Sequence, residues 1–150
     1  MDKIDKRIIE LLAKNADITA SEISRELHFS IPAVNKRIRD LKRDGIIKNC
    51  TVITDNKLVG KPIIAFILIE LESVEHTESF FRHVDEDPDI LECHAITGEY
   101  DCIVKACASS LEELDGKLAE LKTKSGVMKS YTMLSLSTHK YSPTVLPGND

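Results

Sequence analysis

The stretch from Thr19 to Gly45, TASEISRELHFSIPAVNKRIRDLKRDG, constrains the fold more than any other part of the chain. TASE is a capping box, in which Thr19 and Glu22 are spaced to satisfy each other's backbone amides. Ser30 is placed to cap a second helix with Pro32 in its first turn, where a missing N–H costs nothing. Gly45 suits the left-handed position just past the end of that helix. Only HFS (28–30) is left for the corner between the two helices. Upstream, Ile4, Ile8, Leu11 and Leu12 recur at i, i+4, i+7 and i+8, which predicts an amphipathic helix after Asp2. Downstream, IIKNCTVIT (46–54) is β-branched and reads as an extended hairpin. A helix, a tight helix-turn-helix and a hairpin describe a winged helix-turn-helix.

The third helix has two unlike sides. At about 100° per residue, Val34, Ile38 and Leu41 fall together and predict the buried side. Pro32, Lys36, Arg39 and Arg43 fall opposite, with Asn35, Arg37 and Lys42 on the flanks. From Lys36 to Lys48 the chain carries six basic residues against two acidic ones, Asp40 and Asp44. A cationic outer face on such a helix suits phosphates and guanine edges of double-stranded DNA. The candidate contacts are Ser30, Pro32, Ala33, Asn35, Lys36, Arg37, Arg39, Lys42 and Arg43. Those of the first turns are placed for base edges, and Lys42 and Arg43 for phosphates. The plain alternative is a helix that carries Lys and Arg only for solvation.

Charge divides the molecule where the helical pattern ends. The whole chain is acidic, at −5, yet residues 1–53 hold 11 basic and 8 acidic residues and residues 54–150 hold 9 and 17. The first part could meet a polyanion; the second, at −8, would repel one. TDNKLVGKP (54–62) carries turn formers and reads as the linker between two domains, 1–53 and 63–137. The longest apolar run, IIAFILI (63–69), is far short of the roughly 20 residues of a membrane span, so no membrane partner is expected. Met1 leads straight into a charged amphipathic pattern, and no secretory leader is expected. The four cysteines are read as reduced thiols of a cytoplasmic protein.

The second domain alternates strand and helix patterns. KPIIAFILIELE is a buried strand, HTESFFRHVDED a helix with Phe81 and Val84 inward, and DILECHAIT and DCIVKACA two strands of a hairpin around GEYD (98–101). SLEE (110–113) is a second capping box, followed by a stripe of Leu111, Leu114, Leu118 and Leu121. VMKSYTMLSLS is the last strand. The fold class is therefore α+β, a winged helix-turn-helix followed by a ferredoxin-like βαββαβ domain with both helices on one sheet face. The other face would be bare in a monomer, which predicts self-association there. The tail, 138–150, has two prolines and no periodicity.

In this order, MDKIDKRIIELLAKNADIT, SEISRELHFSIPAVNKRIRDLKRDGII, ECHAITGEYDCIVKA and SGVMKSYTMLSLS resemble the Lrp/AsnC family of transcription regulators over nearly the whole chain. The resemblance implies a DNA-binding domain, an effector and assembly domain, homodimers that associate further to octamers, and small-molecule effectors that are usually amino acids. It also implies that the loop around GEYD and the last strand of a neighbouring subunit border the effector pocket. The residues so placed are Thr97, Gly98, Glu99, Tyr100 and Asp101, with Thr132, Met133, Leu134 and Ser135. A turn with two carboxylates beside exposed amides offers both charges a zwitterion needs. The plain reading of the same residues is a tight hairpin turn, with Gly98 at positive φ and Asp101 bonding the backbone.

Other constellations carry less. Cys93 and His94 are adjacent on a strand and point to opposite faces, and no C-x-x-C occurs, so a metal site is not expected. No catalytic dyad or triad is visible, and no cofactor is implied. An enzymatic alternative exists, since siroheme decarboxylases are similar to Lrp/AsnC proteins in fold. Such an enzyme would have no need of the cluster Lys36, Arg37, Arg39, Lys42 and Arg43. A third alternative, an effector protein with a decayed DNA-binding unit, is opposed by the complete caps at Thr19 and Ser30.

Overall fold

The computed structural model describes residues 1–73, 76–124 and 126–148. Asn149 and Asp150 of the tail, and Ser125 before the last strand, lie outside the described residues. The chain forms two compact units: residues 1–53 together with residues from Lys140 onward, and residues 54–139.

The first unit is three helices, α1 (Lys3–Lys14), α2 (Ala20–Leu27) and α3 (Ile31–Arg43). Each start is fixed by a side chain. Asp2 and Asp5 form a capping box on α1, Thr19 and Glu22 form one on α2, and Ser30 Oγ accepts the Ala33 amide at the head of α3. Gly45, at φ +72°, ends α3: its amide reaches Lys42 and that of Ile46 reaches Leu41, the Schellman arrangement. Ile8, Ile9, Leu11, Ile23, Val34 and Leu41 are buried together, with Ile38, Leu12 and Ile47 packed against them. Arg37 fastens α3 to the head of α1, its Nη1 donating to Asp2 and Asp5, both at 2.7 Å.

The expected hairpin at 46–54 is absent. No strand lies between Arg43 and Ile63, and Val52 and Ile53 are 83% and 64% exposed. A β-branched segment satisfies its amides as a strand only when a second strand lies beside it, and this unit supplies none. Residues 140–148 form no helix or strand; the Lys6 ammonium holds them to the unit by donating to the Gly148 carbonyl at 2.7 Å.

The second unit is β1 (Ile63–Leu71), α4 (Thr77–Glu86), β2 (Ile90–Ala95), β3 (Cys102–Ala108), α5 (Leu111–Lys124) and β4 (Val127–Leu134). The strands lie in the order β2-β3-β1-β4, every neighbour antiparallel. Ala65, Ile67 and Ile69 alternate with Val104 and Ala106 on one face, where Phe80, Val84, Leu114 and Leu121 cover them. Period 2 sends Ile64, Phe66, Leu68, Ile103, Tyr131 and Met133 to the other face, which no described element of the second unit covers. Two readings of the helices are corrected. Phe80 is the buried aromatic of α4 and Phe81 is 37% exposed, because Phe80 shares a face with Val84 at i+4. Leu111, at the first residue of α5, is 57% exposed, while Leu114 and Leu121 are buried. Ser110 does cap α5, accepting the Glu113 amide, but the Glu113 carboxylate reaches back to the Ser109 amide and to Lys61.

Candidate nucleic-acid interface and effector loop

Helix α3 exposes Pro32, Asn35, Lys36, Arg39, Lys42 and Arg43 to solvent, with Ala33 and Arg37 half-buried beside them. Ser30 is exposed at the N-cap. The cations are not equivalent. Asp40 takes Lys36 on one carboxylate oxygen and Arg43 on the other, each at 2.8 Å, and Arg43 Nε also meets Asp44 at 2.9 Å. Lys36 and its neighbours hold the Asp40 carboxyl below its usual range. Asp44 and Asp40 raise the Arg43 guanidinium. Arg37 is raised by Asp5 and Asp2 and serves the join between α1 and α3. Arg39 and Lys42 have no ion-pair partner among the described residues. On the helix wheel, Asp40 and Asp44 lie to one side of Lys36, by about 40° and 80°, while Arg39, Asn35 and Lys42 lie to the other. The outer face therefore has a self-neutralised flank and an open cationic flank. The signal for these pairs lies in the sequence, since Asp40 stands four residues from Lys36 and three from Arg43.

The second candidate site is the loop from Thr97 to Asp101. Gly98, at φ +125°, allows the sharp reversal. Asp101 is tied to the end of β1, its carboxylate accepting the Leu71 amide at 2.8 Å and its own amide donating to the Ile69 carbonyl at 2.8 Å. Glu99 accepts from Lys129 at 2.6 Å, and the Lys129 ammonium stands 4.9 Å from the centre of the Tyr100 ring. Lys129 holds the Glu99 carboxyl below its usual range. Lys129, at the start of β4, was missed in the sequence; only the antiparallel register, which sets it against Glu70, brings it to the loop.

Within one chain the two halves of the expected effector site stay apart. The loop sits where β1 ends at Leu71, whereas Thr132, Met133 and Leu134 pair with Ile67, Phe66 and Ala65, and the Ser135 amide reaches Ile64. Along β1 the positions opposite Thr132 to Leu134 lie roughly 13 to 20 Å from Leu71. Met133 points to the uncovered sheet face and Thr132 and Leu134 to the helix face.

The cysteines are free thiols, three of them wholly or partly enclosed by the second unit. Burial, aided by Cys102, pushes the Cys93 thiol up to about 11, so it stays protonated at neutral pH. Among the described residues no group of three His, Cys, Asp or Glu converges as a metal site, and no helix is long and apolar enough to cross a membrane.

A helix-turn-helix with a cationic outer helix, joined to a βαββαβ domain, defines a DNA-binding transcription regulator. The comparisons agree. Residues 1–48 match a winged helix-turn-helix DNA-binding model, and residues 64–145 match the Lrp/AsnC ligand binding domain. The chain is 35% identical to the HTH-type transcriptional regulator FL11 of Pyrococcus furiosus, over 93% of this chain and 92% of that protein. It is 30% identical to the glutamate uptake regulatory protein of Zymomonas mobilis, over 98% and 90%. Its fold superposes on a Neisseria meningitidis transcriptional regulator solved in complex with L-Met, with a TM-score of 0.91 at 24% identity, covering 97% and 96% of the two chains. The AsnC of E. coli gives 0.87 at 24% identity, covering 98% and 99%. The chain belongs to the Lrp/AsnC family: it is a DNA-binding transcriptional regulator and not an enzyme.

Proposed function

We propose that α3 reads duplex DNA through its first turns and its open flank. Ser30, Pro32, Ala33, Asn35 and Lys36 approach base edges, while Arg39, Lys42 and Arg43 meet phosphates. Arg37, already neutralised by Asp2 and Asp5, holds α3 in place for them. The observation that carries this reading is the pair of exposed, unpartnered cations, Arg39 and Lys42, on the same flank as Asn35. Replacing both by alanine should weaken binding to every duplex sequence. The salt slope should fall by about 0.9 per lost phosphate contact in each subunit. Unchanged affinity and slope in anisotropy titrations would remove α3 from the interface.

The same proposal places an amino-acid effector at the Thr97–Asp101 loop, with Thr132 to Ser135 supplied by another subunit. Three things support it: the domain match, the L-Met complex of the Neisseria regulator, and the separation of the two halves within one chain. Glu99 and Lys129 then offer the carboxylate and ammonium a zwitterion pairs with, while Asp101 holds the loop shape. The uncovered sheet face is the surface for a homodimer, and dimers completing each other's pockets would build the octamer in the cytoplasm. A thermal-shift screen of the twenty protein amino acids tests this. At least one should raise the midpoint of the wild type and have a much smaller effect on Lys129→Met. No shift with any of them would refute the effector assignment.

A further inference from the structure

We propose that Asp40 is a specificity-determining residue of the DNA interface, its carboxylate standing in for a base edge on Lys36 and for a phosphate on Arg43. The inference rests on α3 being the reading helix. Both oxygens of Asp40 are committed, one to each cation at 2.8 Å, and the carboxylate is only 31% exposed while the cations are 72% and 69% exposed. Each cation keeps donors that Asp40 does not use, but while the pair stands Asp40 cancels much of the charge it can offer DNA. Off-target contact then gains little, because one paired anion is exchanged for another and the uncovered carboxylate stays close to the DNA. At a cognate site, base-edge contacts from the first turns of α3 bring the phosphates into register and drive the exchange. Generic affinity is left to Arg39 and Lys42.

Helix stability gives an acid here only the small gain of its surface pairs with Lys36 and Arg43. Asp40 lies in the last turn of α3, where the helix dipole disfavours negative charge, and aspartate is a weak helix former. Its pair with Lys36 has the acid on the C-terminal side, the less favourable order. What the position does provide is simultaneous reach to Lys36 one turn before and Arg43 one turn after.

The test uses the full chain and two fluorescent duplexes of about thirty base pairs, one of mixed sequence and one selected from random sequence by the wild type. Asp40→Asn and Asp40→Ala should both bind the mixed duplex about tenfold tighter at low salt. The slope should steepen by about 0.9 per subunit, for the phosphate contact that Arg43 is then free to make. Discrimination in favour of the selected duplex should fall. The alanine variant excludes a new contact from the asparagine amide. Asp44→Asn, which frees Arg43 from one partner only, should change less. Mixed-sequence binding that is unchanged or weaker in folded Asp40 variants overturns the proposal. If Arg39→Ala with Lys42→Ala is then also without effect, the failure lies with α3 as the reading helix. If that variant weakens binding, the failure is Asp40's alone.

Discussion

His28 takes the left-handed conformation, φ +56° and ψ +40°, at the corner between α2 and α3. Among the described residues it is the one non-glycine at positive φ. A side chain there crowds the following carbonyl, at a cost of about 1–2 kcal/mol. The corner is fixed in spite of this because the Phe29 amide reaches the Ser24 carbonyl and the Ser24 hydroxyl donates to the Phe29 carbonyl. His28→Gly should relieve the crowding, offset in part by the freer unfolded chain, for a net gain of about 0.5–1 kcal/mol. Urea denaturation followed by helix signal would show it as a higher midpoint with unchanged slope. Asp101 teaches a related lesson. A carboxylate in a suspected ligand loop is already bonded to the Leu71 amide, so its exposure alone says little about what it could bind.

At the scale of elements, the legible parts were those set by near neighbours in sequence. Thr19 with Glu22, Ser30 with Pro32, and Gly45 bound their helices as read, because a cap is a contact across three or four residues. The inward trio Val34, Ile38 and Leu41 follows from helical period alone. Reading failed where a distant partner decides. The 46–54 segment has strand composition but no strand beside it. Phe80 and Phe81 differ by about 100° of helix, and only the sheet beneath chooses between them. Ser109 captures the carboxylate that Ser110 was expected to receive. For the effector loop, GEYD was visible, but Lys129 reaches it from thirty residues away.

At the scale of the molecule, charges far apart in sequence hold the start of β1, the entry to β2 and the head of α5 together. Lys61 bridges Asp89 at 2.9 Å and Glu113 at 2.6 Å, and Lys117 bridges Asp87 at 2.8 Å and Asp89 at 3.0 Å. Hydrogen bonds from Lys61 and Ser109 lower the Glu113 carboxyl from an ordinary 4.5 to about 2. Asp89 is lowered too: burial pushes it up, but Lys61 and Lys117 outweigh that. A carboxyl depressed on folding stabilises the native state fully above its unfolded value and loses that contribution as pH falls toward its folded one. The second unit should therefore hold its stability down to about pH 4.5 and lose it progressively toward pH 2, and Glu113→Gln should flatten part of that fall. Denaturant midpoints taken every half unit between pH 6 and pH 2.5 would check it.

The return of residues 140–148 to the first unit has a consequence for synthesis. Every residue of the helical core, from Ile8 to Leu41, together with Ile47 packed on it, emerges from the ribosome before the first strand of the second unit does. The three helices can thus close on the nascent chain. The clasp from Lys6 to Gly148 waits until the whole of the second unit has been translated. The helical unit can thus begin to fold before the second unit and gain its last contact after it.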